Sequence, residues 1–231
     1  MKLKEEVLDL CRSVAGSRRI AGAFICGDYA LGVCGVKTLL EVLVVVHNFQ
    51  PRFINHVKLL NRRLVLLNLV DKWVFERDVE GGFLGDALAF HMAFPYIPLI
   101  GKEYLAEQEI RLKERFIREL LENLVLDFPE LSYDLLIKPE YFAVEALLSR
   151  ARLFPLILHD VFLFLSGDLR DENLKRVMLG YYRALERLEK EKVIMRFNRY
   201  YKVAPEFIDK VKSRRTRFIN LFKSAQRALF L

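Results

Sequence analysis

Apolar positions along the chain follow two different rhythms. Leu3, Val7, Leu10, Cys11 and Val14 recur at helical spacing, so an amphipathic helix is expected over residues 3–14. After a turn at Gly16, Ser17 and the Arg18-Arg19 pair, continuous apolar runs take over. Ile20–Cys26, which stops at Gly27, and Leu39–Val46, which carries the single acid Glu41, predict two buried strands; Leu64–Val70 predicts a third. Between them, Pro51 is expected to start a helix through about Asn61, with Phe53, Ile54, Val57 and Leu60 on one face. Trp73–Glu76 reads as a fourth strand or a continuation of the third, and Trp73 with Phe75 as core. Gly81, Gly82 and Gly85 form a flexible turn, and Leu84, Leu88 and Phe94 mark a helical piece ending at Pro95 and Pro98.

Beyond residue 100 the period is helical. Lys102–Asp127 is one long helix closed by Pro129, residues 132–137 and 140–150 are further helices, and Pro155 opens another through Leu165. Leu174, Val177, Met178, Tyr181, Tyr182, Leu185 and Leu188 make a single stripe, with a break expected at Gly180. After Lys192 the period drops to two, predicting a hairpin through Val203 with Phe197-Asn198-Arg199 at its tip. Strands early and helices late define an α+β chain: a small mixed sheet followed by a helical region. The division expected is residues 1–100 and 101–231. Helix, helix and a short basic ribbon, at about 140–205, is the layout of a winged helix-turn-helix.

Charge sharpens this picture. Residues 192–231 hold 11 Lys and Arg against two acids, a net of +9, while residues 1–191 carry −2. A basic excess confined to one end suits a polyanion, so nucleic acid is the expected partner, with Arg196, Arg199 and Lys202 reaching phosphates from the ribbon. The tail, residues 207–231, reads as a basic amphipathic helix that docks on its own domain or on a second subunit, giving a homo-oligomer. No apolar run approaches the roughly 20 residues of a membrane span. The charged start from Met1 to Asp9 lacks the apolar core of a signal peptide, and three cysteines make no disulfide framework, so a cytoplasmic protein is expected. Three Gln, seven Ser and two Thr against abundant Glu, Lys and Arg is a thermophile-like composition.

One segment carries a family resemblance. GDYALGVCGVKTLLEVLVVV, residues 27–46, resembles the signature of the DNA polymerase β-like nucleotidyltransferases: a strand, Gly-Ser, an aromatic or small residue, Ala, any residue, Gly, then a short loop to Ser-Asp-x-Asp on an apolar strand. Gly27, Tyr29, Ala30 and Gly32 fall in register. The likeness spans roughly residues 20–80 and implies a sheet of nucleotidyltransferase type. It also implies a nucleotide bound near Gly27, Asp28, Gly32 and Thr38, with Mg²⁺ as cofactor if the protein is active and none otherwise. In that family carboxylates two apart on a strand share one face and hold divalent ions that clamp the attacking and leaving oxygens. The register puts Leu39 at the first acid and Glu41 at the second. Asp28 replaces the serine hydroxyl after the leading glycine, and Thr38 stands where the serine before the acids would be. A third acid belongs on a later strand, where Asp71, Glu76 and Asp78 are the candidates.

Two readings follow for this site. In the favoured one the fold is catalytically degenerate, lacks metal binding, and serves to bind nucleic acid and a nucleotide. In the other, Glu41 as metal ligand and Asp28, with a later acid, form a displaced metal site that supports nucleotidyl transfer to RNA or protein. A third, non-catalytic alternative is an assembly subunit. Other chemistry is thin: His47, His56, His91 and His159 have no partner at metal-ligand spacing, Cys26 and Cys34 make no paired metal motif, and no Walker A, GxGxxG or GxSxG pattern occurs.

Overall fold

The three apolar runs become the centre of one sheet. A computed structural model of the chain describes residues 2–33, 35, 38–50, 52–153, 157–165 and 169–215. Helix α1 (Lys2–Ala15) leads into β1 (Ile20–Cys26), β2 (Leu40–Val46), β3 (Phe53–Leu60) and β4 (Arg63–Asp71). Helix α2 (Lys72–Gly81), a 3₁₀ turn at Ala89–Ala93 and β5 (Ile97–Ile100) follow. The strand order is β3-β4-β2-β1-β5. β2 and β4 run parallel, while β1–β2, β1–β5 and β3–β4 are antiparallel. The α+β class with a mixed sheet is therefore as expected.

Alternation along β2 sorts the two faces. Leu40, Val42, Val44 and Val46 join Val7, Cys11 and Ala15 of α1. Leu43 and Val45 look the other way, into a cluster with Val74 and Phe75 of α2 and, from α3 (Lys102–Asp127), Leu105 and Phe116. Glu41 and Cys26 belong to this second face. The same cluster continues through α4 (Pro139–Leu153), α5 (Leu158–Leu165) and α6 (Arg170–Lys190) to the hairpin β6 (Ile194–Phe197) and β7 (Tyr200–Val203). A final helix, α7, occupies residues 205–215, and its Phe207, Ile208 and Val211 close the core.

Several expectations are corrected. Residues 53–60 form a strand, not a helix: each pairs with β4 from Phe53↔Val70 to Leu60↔Arg63. Asn61 (φ 49) and Arg62 (φ 66) make the left-handed two-residue turn that suits a tight hairpin. β3 is an edge strand with Val57 and Leu59 exposed, so its apolar residues show no clean alternation and mimic a helical face. Pro51 lies outside the described residues. Trp73–Glu76 belongs to helix α2, whose start is set by Asp71: its Oδ1 accepts the Trp73 N–H at 3.0 Å. Phe75 is buried, but Trp73 is 47% exposed, edge-on to Phe83 with the Arg52 and Arg77 guanidinium groups over its ring.

Residues 97–100, at the expected end of the helical piece, are the edge strand β5, a position that tolerates a proline. Residues 132–137 are no helix beyond a single 3₁₀ turn at Leu131–Tyr133, and Ile137 instead bridges Tyr201 of the hairpin. Pro155 is outside the described residues, as are residues 216–231 of the tail. Gly180 does not break α6. It sits where Glu109 and Lys113 of α3 approach so closely that a Cβ would collide with them, and the two helices pack through that gap.

Candidate functional site

The site grows from the end of β1. Gly27 takes φ +66°, and a Cβ there would stand 3.0 Å from Glu41 Oε2, so glycine suits both the turn and the neighbouring carboxylate. The chain then winds through a tight loop: the amides of Ala30 and Leu31 donate to Gly27 O, and Val33 N donates to Asp28 O. Helix α6 holds this loop from outside, with Asn173 Nδ2 donating to Leu31 O at 3.0 Å and Arg176 Nη1 to Ala30 O at 2.9 Å. Gly32 (φ +96°) lies against Leu169 at the entry to that helix. Thr38 leaves the loop with its hydroxyl accepting the Gly35 N–H at 2.9 Å, and Leu39, half-buried, precedes β2. Cys34, Val36 and Lys37 lie outside the described residues.

Glu41 is the cross-strand partner of Cys26. Beside them α5 contributes Asp160 and His159, and the 3₁₀ turn contributes His91. The donor atoms of Asp28, His159 and Asp160 lie within 4.8 Å of one another, and so do those of Cys26, Glu41 and His91. His159 Nε2 is 3.4 Å from Asp28 Oδ1. Burial raises the Glu41 pKa above the ordinary carboxylate range, and the negative charges of Asp160 and then Asp28 raise it further. Asp160 is raised in the same way by burial and by Asp28, with His159 opposing. Burial pushes the Cys26 thiol well up, helped by Glu41 and Asp160, and pushes His91 down to about 4 against the pull of Asp78. Carboxylates of Asp28, Glu41 and Asp160 thus share one neighbourhood, with the His159 ring beside Asp28.

The predicted third acids do other work. Asp71 Oδ2 accepts the Phe49 N–H at 2.8 Å while Oδ1 caps α2, and Glu76 pairs with Lys72 at 2.8 Å. Asp78, fully buried, accepts the N–H groups of Leu84, Asp86, Leu88 and Ala89 and so ties down the glycine-rich turn. On β4 the residues beside Glu41 and Leu43 are Leu66 and Asn68. Asp160 stands in the cluster instead. Sequence reasoning missed it because it lies 119 positions beyond Glu41 and is brought there only by packing of α5. His91 and His159, read as unpartnered from spacing alone, likewise enter donor clusters across the fold.

The predicted nucleic-acid residues divide. Arg196 and Arg199 line a cleft of about 770 Å³ together with Lys138, Pro139, Glu140, Tyr182, Glu186 and Tyr201. Lys202 turns aside, 3.6 Å from Asp134 and over the Phe197 ring. In the described part of the basic tail, Arg214 lies 3.7 Å from Glu122 and Arg215 donates to Leu126 O at 2.9 Å, both on α3.

No known protein-family model matches the chain, and no curated protein does. Among solved structures it is similar to a nucleotidyltransferase-like protein from Exiguobacterium sibiricum, at 14% identity, over 80% of this chain and 75% of that one, with a TM-score of 0.37. No helix of the described residues is long and apolar enough to cross a membrane.

Proposed function

We propose that the chain is a degenerate protein of nucleotidyltransferase type that binds a nucleoside triphosphate together with one divalent cation. The observation that carries this reading is the set of carboxylates at this loop: donor atoms of Asp28 and Asp160 lie within 4.8 Å of one another, and both charges raise the proton affinity of Glu41, after its burial. Hard oxygen donors of this kind fit Mg²⁺ or Mn²⁺, so metal binding survives the loss of the first acid, in a displaced form. A cation held there would neutralise triphosphate oxygens.

The chain's own residues supply the rest. Glu41 is set by the β2 ladder, Asp28 by the loop that α6 clamps, and Asp160 by α5. Leu39 offers no ligand where the family resemblance expects an acid, and no acid from β4 replaces it. Without the paired strand carboxylates, binding outlasts transfer.

Calorimetric titration with Mg²⁺ and nucleoside triphosphates tests the idea. Binding is expected to need Mg²⁺, to vanish with a chelator, and to be lost in Glu41→Gln and Asp160→Asn, with no pyrophosphate released. Binding indifferent to chelator and to both substitutions would sink the metal site. Pyrophosphate release would restore an active transferase.

A second reading concerns the hairpin cleft. Lys138, Arg196 and Arg199 bring three cations beside the rings of Tyr182 and Tyr201, a combination suited to a phosphate backbone with stacked bases, against the opposing charges of Glu140 and Glu186. On this reading α4, α6 and the hairpin act as the winged unit that holds nucleic acid.

A further inference from the structure

We infer that Cys26, Glu41 and His91 form a binding site for a transition-metal ion of the Zn²⁺ class, separate in chemistry from the carboxylate site beside it. The inference shares Glu41 with the proposed nucleotide site but does not depend on that site binding a nucleotide. Three elements build it. β1 ends at Cys26, β2 places Glu41 directly across from it, and the 3₁₀ turn at Ala89–Ala93 brings His91 over the pair. The thiol sulfur, a carboxylate oxygen and an imidazole nitrogen lie within 4.8 Å of one another. That spacing is near the separation of neighbouring ligands around one tetrahedral ion, where metal–sulfur is about 2.3 Å and metal–nitrogen about 2.0 Å.

The donor set decides the metal. Mg²⁺ and Ca²⁺ take oxygen ligands, whereas a thiolate with an imidazole selects Zn²⁺, Co²⁺ or Fe²⁺. One sulfur, one nitrogen and one carboxylate oxygen make three protein ligands, which leaves a fourth position for water or a phosphate oxygen. Local polarity supports occupation. Cys26 is 1% exposed, and its sulfur makes only a weak 3.8 Å contact to the Glu41 carbonyl. The Glu41 carboxylate and the His91 ring, both half-buried, stand beside it. Burial keeps the His91 imidazole neutral and therefore free to donate a lone pair.

Proton balance is explicit. The Cys26 S–H bond breaks as the sulfur–metal bond forms, and the proton passes to buffer, so binding releases one thiol proton per ion at neutral pH. No electron is transferred. Glu41, with two carboxylate oxygens, stands between this ion and the Asp28–Asp160 side.

Cobalt substitution reads the site directly. The chelator-treated full chain is titrated with Co²⁺ and followed by absorption spectroscopy. One equivalent is expected to give a thiolate-to-cobalt charge-transfer band that Zn²⁺ abolishes and excess Mg²⁺ leaves intact. Cys26→Ala removes the band, and His91→Gln weakens Zn²⁺ by more than the ~10–100-fold that loss of an outer partner costs. Cys34→Ser and Asp160→Asn keep the band. His91 is only half-buried, so its variant serves if Cys26→Ala unfolds, as judged by circular dichroism. A cobalt spectrum with no thiolate band, or one unchanged in the folded Cys26→Ala protein, overturns the inference. Mg²⁺-dependent nucleotide binding in Cys26→Ala reports on the neighbouring site alone, so failure of one is told from failure of the other.

Discussion

At the scale of single residues, Glu41 and Asp160 are held where their charges repel. Each pKa is raised by burial and by neighbouring carboxylates, so the folded chain holds these protons to higher pH than the unfolded chain does. As pH rises through the raised values, the folded state ionises groups it disfavours, and stability falls. At neutral pH, in metal-free protein, Asp160→Asn is therefore expected to stabilise by about 1 kcal/mol, or roughly 2–4 °C in melting temperature. It should at the same time abolish the rise that Mg²⁺ produces in the unaltered protein. Thermal melts with and without Mg²⁺ check both signs, and a lower melting temperature in the metal-free variant would contradict the repulsion. Asp78 shows the opposite economy: its two oxygens meet four backbone N–H groups, which is why this buried acid is structural while the strained ones face the site.

At the scale of elements, the hairpin β6–β7 is the unit whose sequence was most easily read, because a period of two with a short polar tip has few other solutions. Its role rests on which of its cations line the cleft. Arg196, which donates to Asn198 O at 3.3 Å, and Arg199, over the Tyr200 ring, both do so, whereas Lys202 is engaged with Asp134 and Phe197. Arg196→Ala and Arg199→Ala should each weaken single-stranded nucleic acid and lower the salt slope of binding by about 0.7, while Lys202→Ala should change both less. Fluorescence anisotropy across a salt series measures this. Equal losses for all three variants would point to diffuse attraction by the basic end of the chain rather than to the cleft. The strand β3 shows the reverse case at this scale: half-exposed at a sheet edge, it lost the alternation that marks a strand and acquired the spacing of a helix.

At the scale of the whole molecule, one apolar cluster joins the sheet to the helices and the hairpin, crossing the boundary near residue 100. Buried within or beside it are the phenols of Tyr96, Tyr104 and Tyr181, all raised above their ordinary value by burial first, then by Glu109 or Glu76. The folded chain keeps these protons where the unfolded chain gives them up, so stability should decline as pH rises beyond about 10. Cys11, pushed up to about 12 by burial, adds to the decline from lower pH. Lys113, lowered by burial, works the other way until its unfolded form titrates. Denaturant melts between pH 8 and about 11.5 should show the midpoint falling in the alkaline limb, and Tyr181→Phe should flatten that fall.

The sequence by itself determined what depends on near neighbours: β1 and β2 from continuous apolar runs, α3 and α6 from their stripes, the hairpin from its period, and the Gly27 turn before Glu41. These features follow from backbone sterics and from burial of one face, which a window of ten residues already contains. Tertiary structure alone decided the rest. Whether Phe53–Leu60 becomes a strand depends on its pairing with β4, and the fate of Asp71, Glu76 and Asp78 depends on which backbone amides surround them. Asp160, His91 and His159 reach Asp28, Glu41 and Cys26 only when α5 and the 3₁₀ turn pack against the sheet. Ligand sites are made by proximity in space, and proximity between residues tens of positions apart is a property of the packed core rather than of any local pattern.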